Sequence, residues 1–262
     1  MKQKKALILF VLLINFSSAF CQKGFQNLKE YDYNQYHFGF LLGYNKMGFS
    51  IQLDESKLNH DPSILHSPYL PKEFGGQENQ KAYLKAAEPY STPGFTIGII
   101  GNLRLAEHFD LRFIPALSFG ERKIIYTYRL IDSGLDTLEY EPKSMKSTLL
   151  ELPLNIKYKG NRINNARPYI LCGIKYTRDL SSDAKKSTKS FVDDLLLVKL
   201  KQDDLYAELG AGFDFYFDWF KMGVEAKMSY GFNKLVVPEP SMYSTVIKSL
   251  NSKIFQLSVT FE

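Results

Sequence analysis

The fold is decided by residues 205–232, which read LYAELGAGFDFYFDWFKMGVEAKMSYGF. Apolar and polar residues alternate one by one in both halves of this stretch, on either side of Asp218 and Trp219. The apolar set comprises Leu205, Leu209, Phe213, Phe215, Phe217, Phe220, Met222, Val224, Met228, Tyr230 and Phe232. The opposite set includes Glu208, Asp214, Lys221, Glu225 and Lys227. Because successive side chains of a β-strand point to opposite faces, this pattern predicts two antiparallel strands joined by a tight turn.

The same alternation recurs six more times along the chain. The further stretches are 37–45, 94–105, 109–120, 149–158, 168–178 and 253–262. The sequence therefore predicts eight strands. Pro115 and Pro153 fall inside strands, and proline has no N–H to donate to a neighbouring strand, so we expect a bulge or a local break at each. In the first strand the alternation slips after Asn45, which predicts a bulge or an exit from a bilayer.

The predicted connections alternate in length. Those after the second, fourth and sixth strands are short, whereas those after the first, third, fifth and seventh are long. The long ones span about residues 52–93, 131–146, 180–203 and 234–250. Short turns on one side and long loops on the other are typical of bacterial membrane barrels. A secreted antiparallel sandwich also alternates, but the polar face here mixes charges of both signs with glycine. We therefore predict an all-β, eight-stranded antiparallel up-and-down transmembrane β-barrel.

The first residues have the composition of an export signal. Lys2, Lys4 and Lys5 precede the apolar stretch 6–16, which is shorter than the about 20 residues that a membrane-spanning helix needs. We predict a cleaved signal peptide over residues 1–21, with acylation of Cys21 as the alternative. A flexible N-terminal stretch, 22–35, would follow, and then the outer-membrane barrel, 36–262, with its long outer loop at about 52–93.

Charge and cysteine content narrow the function classes. The whole chain has a formal net charge of +5, and loss of the three signal lysines leaves +2. That excess is too small to predict binding of nucleic acid. After cleavage Cys172 is the one remaining cysteine, so no internal disulfide is expected. Aromatic residues make up 15% of the chain, as the aromatic girdles of a membrane barrel require.

The polar faces of the strands, assigned to the interior, place many charges there. A structural lumen charge cluster is predicted from Arg112, Glu151, Lys157, Lys175, Glu208, Asp214, Glu225 and Lys227, and Arg104, Asp110 and Lys221 face the same way. An eight-stranded barrel is just wide enough to be filled by side chains, and buried charges must be paired. We therefore predict a salt-linked interior rather than a pore. A proton or substrate path, or a catalytic pair formed by Glu208 and Glu225, is the alternative.

Motifs of soluble enzymes are absent from the sequence. No GxSxG, HExxH, P-loop or CxxC pattern occurs. The histidines are His37, His60, His66 and His108, and the spacing of His60 and His66 is not that of a convincing metal site. We predict no enzyme, no catalytic residues, no cofactor and no metal. A Ser–His–acid site of a barrel that edits lipids stays open as an alternative.

Several strings resemble one family of barrels. They are HFGFLLGYNKMGFSI (37–51), PGFTIGIIGNLRL (93–105), LRFIPALSFGERK (111–123), LELPLNIKYKG (150–160), RPYILCGIKYTRDL (167–180), GAGFDFYF (210–217) and SKIFQLSVTFE (252–262). Together they resemble the PorT family of outer-membrane barrels, which belong to the type IX secretion and gliding motility machinery of Bacteroidetes. The resemblance runs from Tyr36 to Glu262. The ELPL, KYK and RPY strings are shared by many barrels of that phylum, whereas the first-strand string, LRFIPALSFG and SKIFQLSVTFE favour PorT in particular.

The resemblance implies a role in exporting cargo proteins across the outer membrane. It supplies no catalytic or ligand residues. The implied partners are outer-membrane lipid and other proteins of the secretion system. Because eight strands leave no wide channel, we expect the protein to assemble or stabilise the apparatus rather than to conduct cargo. The alternatives are an adhesion or envelope-stability barrel that uses its long outer loop, and a lipid-modifying enzyme.

Overall fold

The computed structural model describes residues 26–54, 81–132, 135–181, 200–236 and 247–262. The strands are β1 (Tyr36–Leu53), β2 (Lys81–Arg104), β3 (Phe109–Phe113), β4 (Ala116–Asp132), β5 (Leu135–Lys159), β6 (Ala166–Asp179), β7 (Asp203–Tyr216), β8 (Lys221–Gly231) and β9 (Ile247–Phe261). A short 3₁₀ helix, Tyr31–Tyr33, precedes them. Among the described residues no helix is long and apolar enough to cross a bilayer. The predicted signal peptide and most of the first outer loop lie outside the described residues.

The strands close into one ring. Each strand pairs antiparallel with its neighbours in the chain, and β9 closes the ring by pairing with β1. The segments β3 and β4 are two parts of one strand, since both lie between β2 and β5. The predicted eight-stranded up-and-down barrel is therefore confirmed. Its short turns, after β2, β5 and β7, share one end with the start of β1, and we call this end periplasmic and the opposite end outer.

The prolines are accommodated without a bulge. Leu111 and Leu117, on either side of Pro115, face β5 in the same register, so only Ile114 and Pro115 interrupt the strand. The carbonyl of Pro115 accepts from the N–H of Ile99 (3.0 Å), and the carbonyl of Pro153 accepts from Ile114 (3.4 Å). Each proline thus loses the bond that it would donate but keeps the one that it accepts. The sequence predicts a bulge or a local break at each proline. A break is observed at Pro115, whereas the prediction is wrong for Pro153, which stays within β5.

After Asn45 the sequence predicts a bulge or an exit from the bilayer, and of these two the bulge is wrong. β1 continues to Leu53, and its register with β9 is unbroken from Phe40 to Gln52. The alternation weakens because Met47 and Phe49, which follow Asn45 on the inward face, are apolar and buried. The inward face changes from polar to apolar along the strand, whereas the backbone continues as a regular β-strand.

Three of the four outer loops are shorter than predicted, because paired strands continue beyond the expected limits, whereas β6 ends and β7 begins at the limits of the predicted loop 180–203. β2 begins at Lys81, within the predicted loop 52–93, and β9 begins at Ile247. The predicted loop 131–146 is the end of a hairpin, in which β4 pairs with β5 as far as Asp132 and Leu135. β5 has 25 residues, whereas a membrane strand needs about 9–11. The sheet therefore extends well past the bilayer at the outer end.

The outward face is apolar, as a bilayer requires. Phe38 is 74% exposed, Ile170 57% and Leu209 67%, and in a soluble protein such a continuous apolar surface would be a liability. Near the periplasmic end Phe109 packs on Tyr158, with ring centroids 5.1 Å apart, and Trp219 is exposed in the turn after β7. These rings form an aromatic girdle of the kind that lies at the headgroup level.

Candidate functional site

The interior changes in character along the barrel axis. At the outer end an apolar cluster fills the barrel, made of Phe49, Ala87, Ile124, Tyr126, Leu200, Leu235, Ile247 and Leu250. Below it lies a smaller apolar group of Met47, Leu149, Tyr206 and Ile254. Towards the periplasmic end the inward face becomes charged. Side chains therefore fill the barrel at successive levels, as its narrow width allows.

All eight residues of the predicted lumen charge cluster are buried in this charged layer. Arg112 lies at its centre and is fully buried. Its Nη1 donates to Glu225 at 2.7 Å, and its Nη2 donates to Glu262 at 3.2 Å. A guanidinium suits this position because it stays charged and donates to two carboxylates at once.

A second group of contacts surrounds Tyr169. Lys157 pairs with Asp214 at 2.7 Å, and its ammonium also lies 3.7 Å from the centroid of the Tyr169 ring. The hydroxyl of Tyr169 donates to Glu225 at 2.9 Å. The ring lies across Gly212 of β7, where a Cβ atom would stand 2.6 Å from the hydroxyl oxygen. Glycine at this position gives Tyr169 the space to reach Glu225.

The remaining members connect to these groups. Lys175 lies 3.2 Å from both Glu151 and Glu208. Lys227 lies 3.7 Å from Glu208 and 3.9 Å from Glu225. The structure thus brings the predicted residues together into linked ion pairs that span the lumen.

Several participants were not in the predicted cluster. Glu262 joins Arg112 to Lys221 and is fully buried at its side chain. Arg122 pairs with Asp179 at 2.7 Å, and Lys159 pairs with Asp110 at 2.7 Å. Asp110 and Lys221 were already predicted to face inward, and Glu262 is the last residue of its predicted strand. Arg122, Lys159 and Asp179 lie just beyond the predicted strands, and continuing the period of two by one or two residues would have placed them on the inward face.

The buried charges are balanced within the described residues. Eight cations and seven carboxylates are buried, and the buried side chain of Glu262 is an eighth carboxylate. The cations are Arg112, Arg122, Lys157, Lys159, Arg167, Lys175, Lys221 and Lys227. An unpaired buried ion is costly, and a paired one becomes tolerable. Glu208 and Glu225 do lie near each other, but Lys227 stands between them, an arrangement typical of a structural network.

No catalytic grouping accompanies these carboxylates in the described part of the chain. His37 and His108 each hydrogen-bond a backbone carbonyl, at 2.7 and 2.8 Å. No group of three or more potential metal ligands occurs among the residues that the structure describes. His60 and His66 lie outside those residues.

Residues 26–35 lie against the periplasmic mouth, and we call this segment the periplasmic lid. Where the sequence predicts a flexible stretch, the structure shows specific contacts. Asp32 accepts from the hydroxyl of Tyr216 at 2.8 Å and pairs with Arg167 at 3.2 Å. Asn27 donates from its backbone to the side chain of Asn165 at 2.9 Å. The lid is therefore held by the turn after β5, the start of β6 and the end of β7.

Tyr31 joins the lid to the charged layer. Its ring stacks on His37 with centroids 4.1 Å apart, and the ammonium of Lys221 lies 4.7 Å from its centroid. Its hydroxyl donates to Glu262 at 3.4 Å. Burial raises the pKa of Tyr31 well above its usual range, with Lys221 opposing the shift. The phenol stays neutral at physiological pH and closes the layer from below.

Comparison with known proteins identifies the class. The family model described as outer membrane protein beta-barrel domain matches residues 22–237. The chain belongs to this family, and its place is the outer membrane. No curated protein matches the sequence.

Solved barrels give weaker matches. Neisserial surface protein A is 12% identical, with 87% of this chain and 98% of that chain covered and a TM-score of 0.42. The outer membrane protein OprG from Pseudomonas aeruginosa is 13% identical, with 85% and 95% covered and a TM-score of 0.36. The N-terminal β-barrel domain of OprF from the same organism is 15% identical, with 84% and 96% covered and a TM-score of 0.31. We base no conclusion on these similarities.

Proposed function

We propose that this barrel is a non-enzymatic component of the type IX protein secretion system, which assembles or stabilises the apparatus and does not conduct cargo. The observation that supports an accessory rather than a conducting role is the filled interior. An apolar cluster, a charged layer and the periplasmic lid succeed one another along the axis. A folded or extended cargo chain has no room beside them.

The assignment to secretion is supported by the sequence strings that resemble the PorT family. The first-strand string 37–51 and the closing string 252–262 pair with each other in the barrel, through β1 and β9. The strings thus meet at the closure of the ring. A membrane partner that recognises residues specific to this family would therefore bind the surface formed by β1 and β9.

A gene deletion tests the proposal. Cargo proteins should accumulate in the periplasm or inside the cell, and a plasmid copy of the full chain should restore their export. Normal export in the deletion strain would contradict the proposal. Unchanged lipid A in the same strain, measured by mass spectrometry, would count against a lipid-modifying enzyme.

The alternative of an adhesion or envelope-stability barrel is favoured by one observation, the sheet that extends beyond the bilayer at the outer end. A variant in which an Asn-Gly turn replaces residues 129–138 shortens this hairpin between paired positions. Under the secretion proposal cargo export should be unchanged. Under the alternative, the shortened variant should lose surface binding or the detergent resistance of the cells. The deletion strain should then export cargo normally.

A further inference from the structure

A cleft of about 210 Å³ opens between the periplasmic lid and the rim of the barrel. This volume is several times the roughly 30 Å³ of one liquid water, so the cleft can hold a group of several heavy atoms. The ionic groups of its lining are Lys29, Asp32, Arg104, Glu107, Arg162 and Arg167. Four cations thus stand against two carboxylates, so the lining favours an anion.

The cleft exists because the lid is docked. Lys29 and Asp32 come from the lid, whereas Arg104, Arg162 and Arg167 come from the barrel and its turns. Asp32 is already engaged by Arg167 and Tyr216. The same carboxylate lies 4.0 Å from Arg162, so its single charge is shared by two arginines and offsets one of the four cations.

Neutral acceptors fix two of the arginines. Arg162 donates to the carbonyls of Asn164 and Asn27, and Arg167 donates to the carbonyls of Gly160 and Glu107. Carbonyl oxygens orient a guanidinium without neutralising it. Asp32, 3.2 Å from Arg167 and 4.0 Å from Arg162, offsets one of the two charges, and the positive potential that remains is held in a fixed position at the wall of the cleft.

Arg104 is different. Among the described residues its guanidinium has no hydrogen bond and no ion pair, and its Cζ lies over the ring of Tyr33, 5.6 Å from the centroid. Its backbone is held by a bond from its N–H to the carbonyl of Gln35 at 2.8 Å. A planar fork of N–H donors at the cleft suits a phosphate or carboxylate group.

The level at which the cleft lies in the membrane indicates the class of its ligand. His108, part of its lining, lies against Tyr158 of the aromatic girdle, with ring centroids 6.1 Å apart. Tyr33 of the lid is 75% exposed beside it. Aromatic girdles lie at the level of lipid headgroups, and basic pockets at that level bind anionic headgroups.

We propose that this cleft binds the phosphate headgroup of an anionic phospholipid of the periplasmic leaflet, with Arg104 donating to the phosphate and Lys29, Arg162 and Arg167 supplying the surrounding positive potential. Because the lining comes from both lid and barrel, a bound headgroup holds the lid in place. The inference does not depend on the role in secretion.

Native mass spectrometry of the full-length barrel tests the proposal. The protein would be released from nanodiscs of phosphatidylcholine mixed with phosphatidylglycerol, and the retained lipid counted. The wild type should retain phosphatidylglycerol preferentially, and Arg104→Gln should weaken that retention by about tenfold or more, since charge-assisted bonds are lost. Lys248→Gln removes one exposed charge at the outer end and should behave as the wild type. The mobility of unheated samples on gels verifies that the variants are folded.

Three outcomes would overturn the proposal. The first is equal retention of both lipids by the wild type, and the second is no difference between Arg104→Gln and Lys248→Gln. The third concerns the source of the phosphate. If inorganic phosphate slows tryptic cleavage after Lys29 in pure phosphatidylcholine nanodiscs as well as phosphatidylglycerol does, the site is one for a soluble anion.

Discussion

At the scale of single residues, Arg112 decides whether the charged layer is neutral. Replacement with alanine would leave Glu225 and Glu262 buried without the guanidinium that faces both. Breaking a buried pair in this way costs about 3–5 kcal/mol. We therefore expect Arg112→Ala to lower the free energy of unfolding in urea and detergent by that amount.

Arg178→Ala is the matched control. Arg178 also faces a carboxylate, Asp203, but at 4.0 Å and with about half of each side chain exposed. An exposed pair contributes about 0–1 kcal/mol, so this variant should unfold nearly as the wild type does. Equal losses in the two variants would show that burial of the Arg112 pairs has no energetic consequence.

Gly212 tests the space that Tyr169 occupies. A Cβ atom there would stand 2.5 Å from the carbonyl oxygen of Val224 and 2.6 Å from Tyr169. Overpacking of this kind costs about 1–3 kcal/mol, so Gly212→Ala should lower the urea midpoint. Gly101→Ala places its Cβ 3.6 Å from the nearest atom, the carbonyl oxygen of Phe113. A comparable loss for Gly101→Ala would assign the effect to the backbone rather than to Tyr169.

At the scale of elements, Asp32 makes ion pairs that join the periplasmic lid to the barrel. Asp32→Ala removes the acceptor of Tyr216 and the partner of Arg167. A hydrogen bond to a charged group contributes about 1.5–3 kcal/mol. Because proteolysis follows the open population, trypsin should cleave after Lys29 about tenfold faster or more while the barrel stays intact.

Asn34→Ala is the control for the lid, since Asn34 is exposed and follows the same 3₁₀ turn but does not adjoin the bond that trypsin cleaves. Its cleavage rate should match that of the wild type. If both variants were cleaved equally fast, the lid would not depend on the contacts of Asp32.

At the scale of the whole molecule, the successive layers predict an electrically closed barrel. Reconstituted in planar bilayers, the full chain should show no stepwise conductance at any voltage that a porin tolerates. Asp32→Ala should also be silent, because the charged layer and the apolar cluster above the lid are unchanged. Single-channel steps in the wild type would contradict a filled lumen and the accessory role that depends on it.

The sequence by itself determined the fold class and the facing of the strands. Strict period-two alternation assigns Phe213 outward and Asp214 inward without knowledge of any neighbour, because the pleat alone sets the direction of each side chain. It also placed the eight predicted lumen charges on the inner face. It was less informative at the strand ends, where a few residues such as Arg122 and Glu262 give too short a pattern.

Tertiary structure decided what alternation cannot express. Which cation meets which carboxylate depends on register around the closed ring, so the contacts of Arg112 with Glu225 and Glu262 join residues 113 and 150 positions apart. The interior changes from polar to apolar at Met47. Beyond that point inward residues are no longer polar, so the alternation does not reveal that β1 continues. The docking of residues 26–35 left no periodic signal, because its energy comes from individual polar contacts with distant turns. The outer-membrane barrel was thus encoded locally, whereas its closed interior and its periplasmic lid follow from which distant side chains the ring brings together.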